Sequence, residues 1–381
     1  MRLPPFSDQG LHLANVTYMR RICLGAALVL ITVAGCAGAS DPGGASPPQE
    51  IRASPSDDPA PDGGGVDADA AVAPRVIRSM ANIGDSISQG YDADDSLPID
   101  MNKIVSDPDA VFHDNPQYSW VQGTDPRISS VATSYRLLDA DLTLTPISHS
   151  GAELLGKITD RPNFEQQATL LVAKDAHPDL TWVLIGGNDI CNRPKSTSID
   201  PTATLYSVAD WTEAVDRGLA VLAAGLDAGA IVKILSMPRV DLLYEQAGDA
   251  KIAVQYGGAS LSLTCKQFWS TTDALDKGVC PIVTTETSTV RRAAIGARID
   301  AYNDALAVEA RRFAKDATLN PKGVRFQSDW HGGVDSGGTL NKSMGTYEFT
   351  ADLVSKRDCF HPSIKGQIGI ANMVLNVAKW E

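Results

Sequence analysis

A serine, an asparagine and an aspartate–histidine pair are the residues of this chain best suited to covalent chemistry. Ser86 lies in Gly84-Asp85-Ser86, directly after an apolar, strand-like run. A serine placed where a strand ends and a helix begins keeps its hydroxyl at the carboxyl edge of a sheet, beside the first unpaired helix amides. That is a favourable place for a nucleophile, although the tripeptide alone is also a turn. Asn188 stands in Gly186-Gly187-Asn188-Asp189, where a second apolar run stops abruptly, and its side-chain amide can donate to a developing oxyanion. Ser148-His149-Ser150-Gly151-Ala152 follows a third run; Gly151 lets a backbone amide approach a ligand closely. Near the far end, Asp358 precedes His361 by three residues in Asp358-Cys359-Phe360-His361-Pro362-Ser363. At that spacing the carboxylate can reach Nδ1, fix the tautomer and leave Nε2 to take a serine proton.

The scaffold for these residues shows in the periodicity from residue 76 onward. Residues 76–83, 142–147, 180–185 and 231–236 read as buried parallel strands, with 324–326 as a weaker fifth. Helical patterns cover 164–176, 211–228 and about 290–317. A last helix is expected to begin at Pro362, since proline favours the first helical position, and to run to about Trp380. Strands alternating with helices imply a mostly parallel sheet covered on both faces. Ligands of such sheets sit beyond the carboxyl ends of the strands, where the polar clusters above fall.

The chain has 381 residues, 46 of them acidic and 33 basic, for a formal net charge of −13. Nucleic acid is therefore an unexpected partner. Met19-Arg20-Arg21 precedes an apolar run, 22–34, followed by Gly35-Cys36, which reads as an export leader too short to span a bilayer. Val33-Ala34-Gly35-Cys36 resembles a bacterial lipobox, which implies a lipid on Cys36, residues 1–36 as leader, and translation from Met19. Ordinary signal cleavage with release is the alternative. Residues 37–75 are nearly all Gly, Ala, Ser, Pro and Asp and are expected to form a disordered tether to residues 76–381. Export would place Cys191, Cys265, Cys280 and Cys359 in an oxidising compartment, favouring two disulfides with three pairings open. No Cys-x-x-Cys, paired histidines or calcium-loop spacing occurs, so neither metal nor cofactor is expected. His149 has no carboxylate spaced to orient it, His113 and His177 read as surface positions, and His331 reads as a loop residue.

Taken together and in order, Gly84-Asp85-Ser86, Gly151, Gly186-Gly187-Asn188-Asp189 and Asp358-Cys359-Phe360-His361 resemble the four blocks of the GDSL or SGNH hydrolases. The resemblance spans about residues 76–375. It implies a three-layer α/β/α flavodoxin-like fold with a mostly parallel sheet of about five strands. It further implies Ser86 as nucleophile, His361 as general base and then acid, and Asp358 as its orienting partner. The oxyanion hole would comprise the amides of Ser86 and Gly151 and the side chain of Asn188. The implied reaction is hydrolysis of carboxylic esters through an acyl-enzyme. The cysteine-bearing blocks Gly-Gly-Asn-Asp-Ile-Cys and Asp-Cys-Phe-His-Pro-Ser are similar to the phospholipase B-like branch, which implies lysophospholipid or phospholipid esters. An acyltransferase or a carbohydrate or cell-envelope deacetylase on the same residues, and a catalytically silent binding module, are the alternatives. One departure stands out: the polar segment 244–289, holding Cys265 and Cys280, is expected to be an insertion over or beside the pocket.

Overall fold

The computed structural model describes residues 76–96, 98–157, 160–174, 176–330, 342–377 and 380. The expectations for the leader, Met19, Cys36, the tether and His331 lie outside the described residues. The strands are β1 (Ser79–Gly84), β2 (Ile99–Asp100), β3 (Thr143–Pro146), β4 (Leu180–Leu184), β5 (Ile231–Ile234), β6 (Lys251–Tyr256), β7 (Ala259–Thr264) and β8 (Arg325–Ser328). The earlier helices are α1 (Met101–Ser106), α2 (Val131–Arg136), α3 (Phe164–Ala173), α4 (Gly187–Cys191) and α5 (Val208–Gly225). They are followed by α6 (Leu243–Gln246), α7 (Cys265–Asp273), α8 (Pro281–Thr284), α9 (Thr289–Lys315) and α10 (Ile364–Leu375).

Five strands form one parallel sheet in the order β3-β1-β4-β5-β8. These are the five strands expected from the apolar runs. Their order explains the layers. The chain moves from β1 outward to β3, then back past β1 to β4, β5 and β8. Parallel crossovers are right-handed, so reversing direction puts α2 on one face and α3, α5 and α9 on the other. Helix α10 packs beside α2. Every position of β4 and all but the first of β1 are buried, which is why neither shows the in-out alternation of a half-solvated strand. The switch in direction beside β1 leaves a crevice at the carboxyl ends of β1, β3 and β4.

Two local expectations are corrected. Pro362 is not the first residue of the last helix: it pairs in a β-bridge with Val354, and Ser363 caps α10 by accepting from the Gly366 amide. The serine competes successfully for the cap because its hydroxyl satisfies an otherwise orphaned amide. The helix then ends at Leu375, short of Trp380. The segment after Ser86 is not a helix either, for reasons given with the site.

A second sheet, β2-β6-β7, was not legible as such in the polar 244–289 segment. Strand β6 alternates, burying Ile252 and Val254 and exposing Lys251 and Ala253, and it turns into β7 at Gly257-Gly258, both in the left-handed region (φ +57° and +83°). Two glycines at positive φ suit a tight hairpin. The buried face joins Ile99, Ile104, Phe268 and Trp269 in an apolar cluster apart from the main core. Two disulfides tie this region to the large sheet's loops, Cys191–Cys280 and Cys265–Cys359. They choose one of the three pairings the sequence left open. Each closes a long loop, of 89 and 94 residues, and long loops lose most entropy when cross-linked in the unfolded chain. Replacing Cys265 and Cys359 together by alanine is expected to cost about 2–4 kcal/mol of stability. Thermal unfolding checks this, and an unchanged midpoint would show that the bridge does not constrain the chain.

Candidate active site

At its carboxyl end β1 reaches Gly84, whose N–H donates to Gln167 Oε1 at 2.9 Å and whose carbonyl accepts from Gln167 Nε2 at 2.9 Å. A Cβ on Gly84 would meet the Leu184 carbonyl at 2.7 Å, so the bare residue lets β4 lie close. Asp85 is buried, and its carboxylate accepts from the Ile87 amide at 3.0 Å. Burial pushes its pKa up to about 6 against the pull of that amide and of His361. The chain then makes consecutive turns: the Ser86 carbonyl accepts from the Gln89 and Tyr91 amides at 3.1 and 3.0 Å. Gly90 enters the left-handed region (φ +61°) and reverses the direction. That reversal, followed by Asp92 at φ +52°, prevents a helix from propagating after Ser86.

On the opposite wall, Asp358 Oδ1 accepts from the amides of Phe360 (2.8 Å) and His361 (3.0 Å). Its Oδ2 meets His361 Nδ1 in a short hydrogen bond. His361 Nε2 lies 2.8 Å from Ser86 Oγ. Both side chains are buried, each residue only 7% exposed, so the pair is reached through the cavity alone. Tyr91 packs on the imidazole, its ring centroid 4.8 Å away. The Ser355 amide holds the His361 carbonyl at 2.7 Å, and Gln367 on α10 donates to the Ile87 carbonyl at 3.1 Å. The histidine loop is thereby tied back to the serine turn.

The third wall comes from β3 and β4. Gly151 has φ +76°, and a Cβ there would run into the Arg161 guanidinium, whose Cζ would lie 2.9 Å away. Asn188, in the first turn of α4, donates from Nδ2 to the Ala152 carbonyl at 3.0 Å. One amide hydrogen is thus spent on orientation and one remains. Next to it Asp189 accepts from the Leu154 and Leu155 amides at 2.6 and 3.0 Å, clamping the glycine segment to α4. Burial carries Asp189 up to about 7. Among the described residues, the amides of Ser86 and Gly151 donate to no acceptor. Buried amides are normally paired, so two free ones beside a serine hydroxyl suit an oxygen supplied by a ligand.

Ser86, Gly151, Asn188, Asp358 and His361, the residues singled out from the sequence, all line one cavity of about 300 Å³. Phe112, Phe268, Val279 and Phe360 add apolar wall, the last three from the 244–289 segment or the histidine loop. This volume suits a compact acyl group. His149 is outside the group: it is exposed and bonds to the neighbouring Ser150 carbonyl. Three lining residues carried no sequence signal. Asp92 is fully buried, near Arg357 Nε at 3.5 Å, and Arg161 and Lys277 bring positive charge to the wall.

A five-stranded parallel sheet with helices on both sides and this cluster at its carboxyl edge defines a hydrolase of the α/β SGNH fold. The family model for GDSL-like Lipase/Acylhydrolase matches residues 80–374, and the chain belongs to that family. Membership carries esterase or acylhydrolase activity. One similar solved structure is 13% identical over 79% of this chain and 96% of its own, with a TM-score of 0.37. Another concerns a carbohydrate esterase whose active site "displays divergent catalytic and non-catalytic binding functions"; it is 12% identical over 80% of this chain and 65% of its own, with a TM-score of 0.33. Likenesses this distant carry no argument about substrate. No curated protein matches the sequence.

The electrostatics give a pH dependence. Burial acts to lower the pKa of His361, but the charge and hydrogen bond of Asp358, with the charges of Asp92 and Asp85, outweigh it and hold the pKa above the usual 6.5. A base must be unprotonated to act, so kcat/KM should rise through a midpoint above 6.5. In Asp358→Asn the strongest raising influence is gone and burial dominates, so that limb should move to lower pH while the maximal rate falls. Rate profiles of both proteins on an activated ester test this; an unmoved limb would mean that Asp358 does not set the imidazole's basicity.

Proposed function

We propose that this protein is a serine esterase that hydrolyses small or medium carboxylic esters, using Ser86, His361 and Asp358. The observation that carries the reading is the unbroken run from Asp358 through both imidazole nitrogens to the Ser86 hydroxyl. In the first half-reaction Nε2 takes the Ser86 proton as Oγ attacks the ester carbonyl. The oxyanion is met by the amides of Ser86 and Gly151 and the second hydrogen of Asn188. The bond to the alcohol breaks, and the alcohol leaves with the proton from His361. In the second, water gives a proton to His361 and attacks the acyl-enzyme, releasing the acid and restoring the serine. Asp358 keeps its hydrogen bond to Nδ1 and stabilises the imidazolium.

Within the family, the cysteine-bearing blocks around Asn188 and His361 favour the phospholipase B-like branch, and so lipid or lysophospholipid esters. The two disulfides support an oxidising location. No helix among the described residues is long and apolar enough to cross a membrane; attachment to the cell envelope would rest on lipidation at Cys36.

Ser86→Ala should lose at least about a thousandfold in kcat on p-nitrophenyl butyrate and lose labelling by a fluorophosphonate probe. Asn188→Ala should fall about a hundred- to a thousandfold in kcat while unfolding like the parent. Wild-type turnover in Ser86→Ala would remove the serine from the reaction. Fatty acid release from lysophospholipid, against acetate release from acetylated xylan, separates a lipid esterase from a deacetylase.

A further inference from the structure

We propose that the ester turned over at Ser86 carries an anionic group, a carboxylate or a phosphate, which Arg161 and Lys277 bind on the solvent side of the same cavity. This inference rests on the hydrolase reading above and names the class of substrate for it.

The chain holds 46 acidic side chains against 33 basic ones, and carboxylates hold many of its arginines. Arg193, Arg217, Arg239, Arg291, Arg292 and Arg312 each reach one within 4.0 Å. Arg161 and Lys277 line the cavity, yet neither makes a side-chain hydrogen bond or ion pair among the described residues. The two differ in origin. Arg161 comes from the connection between β3 and β4, and Lys277 from the turn after α7 in the 244–289 segment.

Both are placed by more than chance. The Arg161 guanidinium occupies the space that a side chain at residue 151 would need, with Cζ and Cδ 2.9 and 3.0 Å from an ideal Cβ. The glycine beside the nucleophile therefore makes room for a cation as well as adopting its positive φ. Lys277 follows Asp276, which takes the left-handed conformation (φ +55°), and its amide donates to the Thr272 carbonyl at 2.8 Å. Three residues on, Cys280 is bonded to Cys191, so the turn is anchored to the helix that bears Asn188. Arg161 is half-buried and Lys277 is exposed at the cavity; a ligand's negative charge there gives both a partner.

The cavity's own carboxylates cannot take that part. Asp358 is engaged by His361 and two amides, and Asp92 is buried beside Arg357 with the His113 amide on its Oδ1. The Asp358 carboxylate lies deep, against the imidazole, and disfavours an anion at that end. A charged ester thus enters one way round: its anion toward Arg161 and Lys277, its apolar part against Phe112, Phe268 and Val279, and its carbonyl toward Ser86. Arg161 is a specificity-determining residue on this reading.

Two substrate pairs test it: p-nitrophenyl hexanoate against the hemiadipate, which adds a carboxylate, and monobutyrylglycerol against butyrylglycerol phosphate. The wild type should favour the charged member of at least one pair by about ten- to a hundredfold in kcat/KM at low salt, the range of a charged hydrogen bond, and less so in high salt. Preference within the first pair assigns a carboxylate, within the second a phosphate. The ratio should collapse in Arg161→Gln and in Lys277→Gln and largely survive in Arg161→Lys. Equal turnover within both pairs, or a ratio that persists in the double glutamine variant, overturns the inference while leaving the esterase intact. Failure of the folded wild type to hydrolyse any of the four esters would instead overturn the hydrolase reading, and this one with it.

Discussion

The bond from His361 Nε2 to Ser86 Oγ joins groups 275 residues apart, and much of the structure serves to hold that distance. Ser86 stands on the more rigid side. It follows a strand with parallel neighbours on both flanks, and Gln167 grips the backbone just before it. His361 belongs to a loop outside the sheet and has to be fastened from several directions. Ser355 holds its carbonyl, Trp269 Nε1 donates to the Asp358 carbonyl at 3.1 Å, and Cys359 is bonded to Cys265. Closing so long a loop costs only logarithmically more than closing a short one. The greater demand is accuracy, because a misplacement of about 1 Å can cost a hundredfold in rate.

Cys359 carries part of that demand in its own backbone. It adopts φ +59°, which a non-glycine residue does not choose freely, and the turn brings the Phe360 and His361 amides onto the Asp358 carboxylate. The aspartate therefore arrives at Nδ1 already fixed by two backbone donors, and the imidazole has one orientation. Around it, Asp85, Asp92 and Asp358 form an acidic surround that favours the imidazolium arising during catalysis, against the opposing effect of burial.

Much of this was legible from sequence, and the reasons are local. Strands covered on both faces carry no charged residues, so β1 and β4 were visible; Asp358 and His361 interact over three residues, a spacing short enough to read directly. What was missed depends on distant neighbours or on competing local conformations. The turns after Ser86 resemble a helix start until Gly90 reverses them. At the last helix, Ser363 outcompeted Pro362 as the signal for its beginning. Strands β6 and β7 are half exposed and so looked merely polar. Arg161 and Lys277 have meaning only where separate loops converge, and four cysteines offered three pairings of equal standing.

The sheet order also separates two kinds of part. Ser86 and Asn188 are issued by the ends of adjoining central strands, whereas the cavity's outer wall is drawn from the longer excursions between β1 and β3, where Phe112 sits, and between β5 and β8, where Phe268, Lys277 and Val279 sit. Those excursions share an apolar cluster of their own and so answer to separate packing demands. Evolution can accordingly refit what the enzyme accepts by exchanging surface detours, while the chemistry beneath is inherited unaltered.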